Sequence, residues 1–529
     1  METRALFRSS EEHPDPVTVL IEGTLPEWFQ GTYYSVGNGL FDLPSGFTVN
    51  HSYDGYAVLY SIRVNNNNQA VVMSRFLNSD AYTTAIAKGR PVFEEFGTTG
   101  SDDPNKGFFK RMLSHLLPIA FTDNGFMNLI KLRGRVFAVT ETCFIHQLNP
   151  DNLQSIQKVD LLKGFGYAYF TAHPVYDHDG STYCIACSIG TSLKCHIIQF
   201  LPAPSSQKNL TLETLELSVK DMNVVASVTS SWKTSFGYIH SFAITHNYFI
   251  VYEQPFRVNN LKILTSHIQG RAMKENFEWH PEEKINFVLV ERSTGETFNT
   301  KYLAPGLFIT HVANAYEEDG HIIMDLIAHK TTEIIERLSV KNLRENNFRN
   351  NDPPRVYRFV FPLEKNFNNM ISSGNLVKLK NTKATAEKMN NHIFCTPTIM
   401  GECVMDCPKI NPSYTGKKYR YLYGSSYFEE SLSKIYKLDL FTEEIKHLSY
   451  EETQCLNEPY FVPRPGATKE DDGLLIISMS ESRINHPSAI IYADASSLQE
   501  LGRVNIPYKI ASIQHGLFIP TGEPTDKEQ

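Results

Sequence analysis

An all-β fold built from many hairpins, with a β-propeller first among the candidate architectures, is what this chain of 529 residues predicts. Three observations point there. Short runs rich in Val, Ile, Tyr and Phe recur along the whole length, each the size of one strand. Clusters of Gly, Asn and Asp separate them and permit the positive φ that tight hairpin turns demand. No linker of distinct composition divides the chain, so one large closed β architecture can absorb residues 1–529 as a single unit. A large barrel or sandwich is the alternative, because no clean repeat of about 40 residues is visible to count blades.

The strand-like runs are Tyr56–Val64, Val136–His146, Tyr183–Ile189, Tyr248–Glu253, Phe287–Arg292, His321–Ala328, Tyr357–Phe361, Tyr419–Tyr423 and Leu474–Ser478. Turn signals stand at Asn65–Gln69, Asp177–Gly180, Glu317–Gly320 and Glu470–Gly473. The main helical interruption is expected over 106–130, where Phe108, Phe109, Met112, Leu113, Leu116 and Leu117 recur at helical spacing beside Lys106, Lys110 and Arg111. Such a basic amphipathic helix either packs on the β core or lies in a membrane face, giving peripheral membrane contact. The Asn-rich stretch 342–354 and the polar 521–529 read as loop and frayed end.

Composition narrows the function classes. A net charge of −8 argues against a nucleic-acid partner. Residues 1–12 lack the apolar run of a secretory signal, and no stretch of about 18 apolar residues spans a bilayer, so a cytoplasmic location is expected. Eight cysteines then read as reduced thiols. Cys184 and Cys187 have metal-like spacing but lie in a strand-like run with no second pair, and read as structural. Asn209-Leu-Thr211 reads as unglycosylated for the same reason of compartment.

Four of the eighteen histidines stand in apolar, small or aromatic sequence close to a turn. They are His173 in Thr171-Ala-His173-Pro174, His240 in Tyr238-Ile-His240-Ser-Phe242, His311 in Thr310-His311-Val-Ala-Asn314 and His515 in Gln514-His515-Gly-Leu-Phe518. Four neutral imidazoles converging from distant strands would hold a divalent transition metal with no carboxylate in direct contact, leaving its full charge for binding oxygen. Each histidine taken alone is more often a surface or satisfied core residue than a ligand. Glu141, Asp406 and Glu458 are acids in apolar surroundings, suited to accept a ligand histidine's second N–H, or else to cap a turn or pair with a nearby cation.

These four motifs, in this order and at these separations, resemble the carotenoid cleavage oxygenase family. Glu95-Phe-Gly97, Leu338–Asn346, Gly416–Tyr423 and Glu458–Gly473 are similar to its animal branch. That branch includes central and eccentric carotene-cleaving enzymes, an insect isomerooxygenase and a retinoid isomerohydrolase. The resemblance implies a seven-bladed β-propeller with helices and loops doming its top face, and Fe(II) held on the axis by His173, His240, His311 and His515. It implies that Glu141, Asp406 and Glu458 support those ligands and that Phe96 and Thr140 line the substrate cavity. Asp406 departs from the glutamate usual in the family, with Glu402 as a substitute if the register slips. Val312 stands where many animal relatives repeat the histidine, and Asn105 replaces a cysteine of the isomerohydrolase.

The implied reaction is dioxygen adding across one polyene double bond of a carotenoid, with central 15,15′ cleavage to retinal first. Isomerisation of one half can accompany that cleavage, as in the insect relatives; eccentric cleavage, a non-oxidative retinyl-ester isomerohydrolase on the same iron and a metal-free carotenoid carrier are the alternatives. The sequence leaves monomer and dimer equally open.

Overall fold

The computed structural model describes residues 6–65, 67–100, 121–189, 192–202, 217, 219–345, 347, 351–364, 367, 374–426, 433–483 and 485–522. Its antiparallel sheets form seven blades. Blade one places Ile513–Pro520 innermost, followed outward by Gly31–Leu40, Tyr56–Val64, Gln69–Phe76 and His13–Gly23. Blade two runs Asn128–Leu132, Arg135–Val139, Phe144–Leu148 and Ser155–Asp160. In blade three, Tyr167–Phe170 and Val175–Tyr176 share the inner edge of Thr182–Ser188, with Lys194–Phe200 and Asn223–Thr229 outside.

Blade four starts at the short Ala243–Ile244 and continues through Tyr248–Glu253, Ile285–Glu291 and Tyr302–Ala304. Blade five is Phe308–Glu318, His321–His329, Arg355–Pro362 and Thr398–Ile399, and blade six is Asp406–Lys409, Tyr421–Ser425, Lys434–Asp439 and Ile445–Ser449. Blade seven is Gln454–Pro463, Gly473–Glu481, Ser488–Asp494 and Glu500–Ile506. The inner strands of blades four, five, six, seven, one and two lie next to one another in turn around the axis.

Two pairings close the ring. The late strand Ile513–Pro520 pairs antiparallel with Gly31–Leu40, so blade one joins the two ends of the described chain. Strand His13–Gly23 pairs with Gln69–Phe76 over most of its length, then crosses at Ile21–Gly23 to the outer strand of blade seven. Closure removes the open sheet edges at which a β protein aggregates. Apolar side chains fill the gaps between blades, as where Phe137, Ile145, Phe170 and Ile198 join blades two and three.

One side of the ring is covered by segments that leave the blades. A three-stranded sheet of Ser235–Gly237, Phe256–Asn259 and Phe277–Trp279 is one part, and the helices Asp80–Lys88, Asn260–Gln269, Glu333–Arg337 and Val340–Arg344 are others. Backbone bonds lace the cover together: Met273 and Lys274 amides donate to the Glu95 and Phe96 carbonyls, and His51 bridges Ser339. Helix Asp80–Lys88 is fixed at both ends. The Ser79 hydroxyl accepts from the Tyr82 amide, Asp123 accepts from the Asp80 and Ala81 amides, and Gly89 ends the helix at φ 70°.

Several expectations are corrected. The run 136–146 is two strands, Arg135–Val139 and Phe144–Leu148, because residues 140–143 leave the sheet and carry Glu141 toward the axis. Residues 106–120 of the expected helix lie outside the described residues. Its last part is instead strand, since the Arg133-Gly134 turn, with φ of 51° and 83°, folds Asn128–Leu132 onto Arg135–Val139. Residues 342–344 belong to helix Val340–Arg344 rather than to a loop. The strand expected from Tyr419 begins at Tyr421, as the Tyr419 hydroxyl turns inward to donate to Asp325. Asn209, Asn105 and 523–529 lie outside the described residues.

Candidate metal centre

Four imidazoles meet where the inner strands converge. One ligand atom from each of His173, His240, His311 and His515 lies within 4.8 Å of the others. The His173 ring centroid is 4.2 Å from that of His240 and 4.5 Å from that of His515. His173, His311 and His515 reach the axis where a strand is interrupted, and His240 where one has yet to begin. Pro174, which cannot donate to a ladder, follows His173 in the break between Tyr167–Phe170 and Val175–Tyr176. His240 sits just ahead of Ala243–Ile244. His311 stands between two register slips in Phe308–Glu318. His515 opposes Val36 at the slip before Gly37. Gly516 beside it is required, since an added Cβ would sit 2.4 Å from the Tyr33 hydroxyl oxygen.

Three of the rings are held by carboxylates. His240 Nδ1 lies 2.6 Å from Glu141 Oε1, His311 Nδ1 2.6 Å from Asp406 Oδ1, and His515 Nδ1 2.9 Å from Glu458 Oε1. A carboxylate accepts, so each Nδ1 donates and each Nε2 is left as a lone-pair donor facing the axis. The consequence is clearest between His240 and His311, whose Nε2 atoms stand 3.2 Å apart. Two lone pairs at that distance repel unless a cation lies between them. His173 Nε2 is buried without a hydrogen-bond partner. An orphaned nitrogen beside opposed lone pairs fits a bound metal, and an all-imidazole set suits Fe, Zn, Cu or Ni.

The electrostatics agree. Burial, and then the neighbouring histidines, push the His173 pKa well below its ordinary value, so this ring is neutral. Burial also lowers His311, although Asp406 opposes it. Burial alone would raise the Asp406 carboxyl, but the His311 ring and the Cys407 amide hold it well below the usual carboxylate range. Glu458 is likewise lowered against burial by His515 and Lys409.

An apolar cavity adjoins the imidazoles. Its walls include Phe96, Phe121, Phe126, Phe256, Phe277 and Phe308, with Thr140 and Glu141 near the histidines. Phe96 packs edge-on against His51 and Tyr53 in the cover.

A family model described as retinal pigment epithelial membrane protein matches residues 6–520. The chain belongs to that family. Within it, the chain is 33% identical to the beta,beta-carotene 15,15'-dioxygenase of Gallus gallus over 98% of this chain and 98% of that protein. It is 30% identical to the mitochondrial carotenoid-cleaving dioxygenase of Mustela putorius furo, covering 97% of this chain and 96% of the relative. Among solved structures, cobalt-substituted Synechocystis apocarotenoid oxygenase superposes with a TM-score of 0.76 at 23% identity over 98% of both chains, a likeness of fold.

All nine sequence-derived residues of this family member are brought to one place. His173, His240, His311 and His515 converge, Glu141, Asp406 and Glu458 touch three of them, and Phe96 and Thr140 line the cavity. Glu402 is exposed and makes no contact with a histidine among the described residues. The shorter Asp406 reaches His311 directly because its strand bulges, with one extra residue between Asp406 and Lys409 and Cys407 at φ 51°.

Sequence reasoning missed the groups around the carboxylates. Tyr238 donates to Glu141 Oε2 at 2.5 Å, and the Tyr169 hydroxyl, which also meets the Ile239 carbonyl, lies 3.1 Å from Oε1. Thr310 donates to Asp406 at 3.2 Å, and Lys409 Nζ lies 3.0 Å from Glu458 Oε1. Tyr238 and Thr310 stood inside histidine motifs and were open to discovery by proximity; Tyr169 and Lys409 carried no such signal. Cys184 and Cys187 lie in strand Thr182–Ser188. Among the described residues no helix is long and apolar enough to cross a membrane.

Proposed function

We propose that this chain is a non-haem Fe(II)-dependent dioxygenase that cleaves a carotenoid at its central 15,15′ double bond to retinal-type aldehydes. The observation that carries the reading is the convergence of four lone-pair-bearing imidazoles, three of them oriented by carboxylates, beside an aromatic cavity. Identity to named 15,15′-dioxygenases over nearly the whole length supports the bond chosen.

When bound, iron supplies the activation of dioxygen that a singlet polyene cannot achieve unaided. In the balanced reaction O2 and one C=C become two C=O groups, so no proton is gained or lost and no protein acid or base is needed. What the protein must do is position and exclude. Glu141, Asp406 and Glu458 keep their Nδ1 protons in place, so His240, His311 and His515 present one tautomer. The aromatic walls hold an apolar polyene by contact and keep water away, while Phe96 and Thr140 border the space beside the histidines.

The test is incubation with β-carotene and with zeaxanthin under ¹⁸O-labelled dioxygen, followed by chromatography and mass analysis. Two products of equal chain length, each carrying one labelled oxygen, are expected after exchange with water is blocked by rapid reduction. Products of unequal length would move the cut off centre, and no labelled product from either carotenoid, with hydrolysis of a retinyl ester in its place, would overturn the oxygenase reading. A cis product from one half would add isomerisation to the cleavage.

A further inference from the structure

The three carboxylates that hold imidazoles are not equivalent. Glu141 is braced by two phenols, Tyr238 and Tyr169. Asp406 is braced by the Thr310 hydroxyl and the Cys407 amide, the latter at 2.8 Å. Glu458 alone of the three has a lysine within ion-pair distance among the described residues: Lys409 Nζ stands 3.0 Å from Oε1, the same oxygen that accepts from His515 Nδ1 at 2.9 Å. Lys409 is no loose surface lysine. It ends the inner strand Asp406–Lys409, so one short strand supplies both the acid of the His311 arm and the cation of the His515 arm.

A carboxylate that accepts an imidazole N–H passes electron density through the ring to its far nitrogen. An ammonium on the same oxygen withdraws part of that density and adds a positive charge of its own beside the centre. We propose that Lys409 is a positioning and tuning residue for the metal: it weakens the His515 arm as an electron donor and so favours the divalent over the trivalent ion. The consequence is an asymmetric centre, in which the arms of His240 and His311 push electron density and that of His515 does so less.

The inference rests on the iron reading above, and the experiment separates the two. Iron content of the wild-type protein is measured first; wild-type protein that binds no iron would remove the metal reading itself. Redox titration of the iron-loaded wild type, K409M, K409Q and K409R follows. Loss of the charge in K409M and K409Q is expected to raise the preference for Fe(III) over Fe(II) about tenfold, a fall of about 59 mV in midpoint potential for one electron. K409R, which keeps the charge, is expected to stay near wild type. K409Q retains a hydrogen bond to Glu458 and guards against loss of fold in K409M. An unchanged potential in either iron-bound neutral variant, or an equal fall in K409R, would overturn the inference, since a merely structural lysine predicts one or the other.

Discussion

The carboxylate-to-imidazole contacts set what single substitutions should do. Asp406→Asn keeps the size of the side chain and removes the charge that His311 Nδ1 answers at 2.6 Å. Metal affinity is expected to fall about 10–100-fold, read by competition with a chelator. Asp406→Glu, which lengthens the side chain by one methylene, should not raise affinity above the present chain, because the bulge at Cys407 already brings the carboxylate into contact. A gain in affinity in that variant would mean the shorter acid is a defect. Glu141→Gln should weaken binding by a similar factor, and Tyr238→Phe by less, because the Glu141 carboxylate that answers His240 Nδ1 at 2.6 Å remains.

Strand interruptions govern the site at the next scale. A slip in register falls beside His311, at Asp406, at Glu458 and at His515, where an extra residue in an inner strand turns a side chain out of the alternating pattern and toward the axis. Helix Asp80–Lys88 offers a separate test. Burial alone would raise the Asp123 carboxyl, but the His146 ring and the Ala81 and Asp80 amides hold it well below the usual carboxylate range. The folded chain therefore keeps Asp123 ionised while the unfolded chain takes up a proton near pH 4. The stability this contributes is full above that pH and is lost as pH falls further. Asp123→Asn is expected to cost about 2 kcal/mol at pH 7 and to flatten the acid limb of stability against pH, measured by urea unfolding. An acid limb of unchanged slope would assign the acid sensitivity elsewhere.

Strand positions were legible because Val, Ile and aromatic runs end at real turns: Tyr56–Val64 and Tyr248–Glu253 match the observed strands, and Asp319 and Gly320 carry the positive φ expected. The Glu470–Gly473 turn is made differently, with the Glu470 side chain accepting from the Arg420 and Tyr421 amides and Gly473 outside the positive-φ region. Bulges have no such signature, since they depend on which strand faces which. That is why the acids at 141, 406 and 458 could be named from apolar surroundings while their reach to a particular histidine could not.

At the scale of the whole molecule, ring closure and the metal centre share one strand. Ile513–Pro520 buries Ile513, Leu517, Phe518 and Ile519 and also carries His515. Burial of those four side chains is worth about 8 kcal/mol, comparable with the entire stability of an ordinary domain. Truncation after Ser512 is therefore expected to unfold the protein, whereas His515→Ala should keep the fold and lose metal; thermal melting with metal analysis distinguishes them. Equal melting of the two would mean that blade one closes without its inner strand. Histidines 173, 240 and 311 are synthesised earlier, and the fourth arrives only with the strand that completes blade one by pairing with Gly31–Leu40. During translation the metal thus has no complete seat until the ring can shut, so the order of synthesis itself delays an oxygen-activating centre until its apolar enclosure is in place.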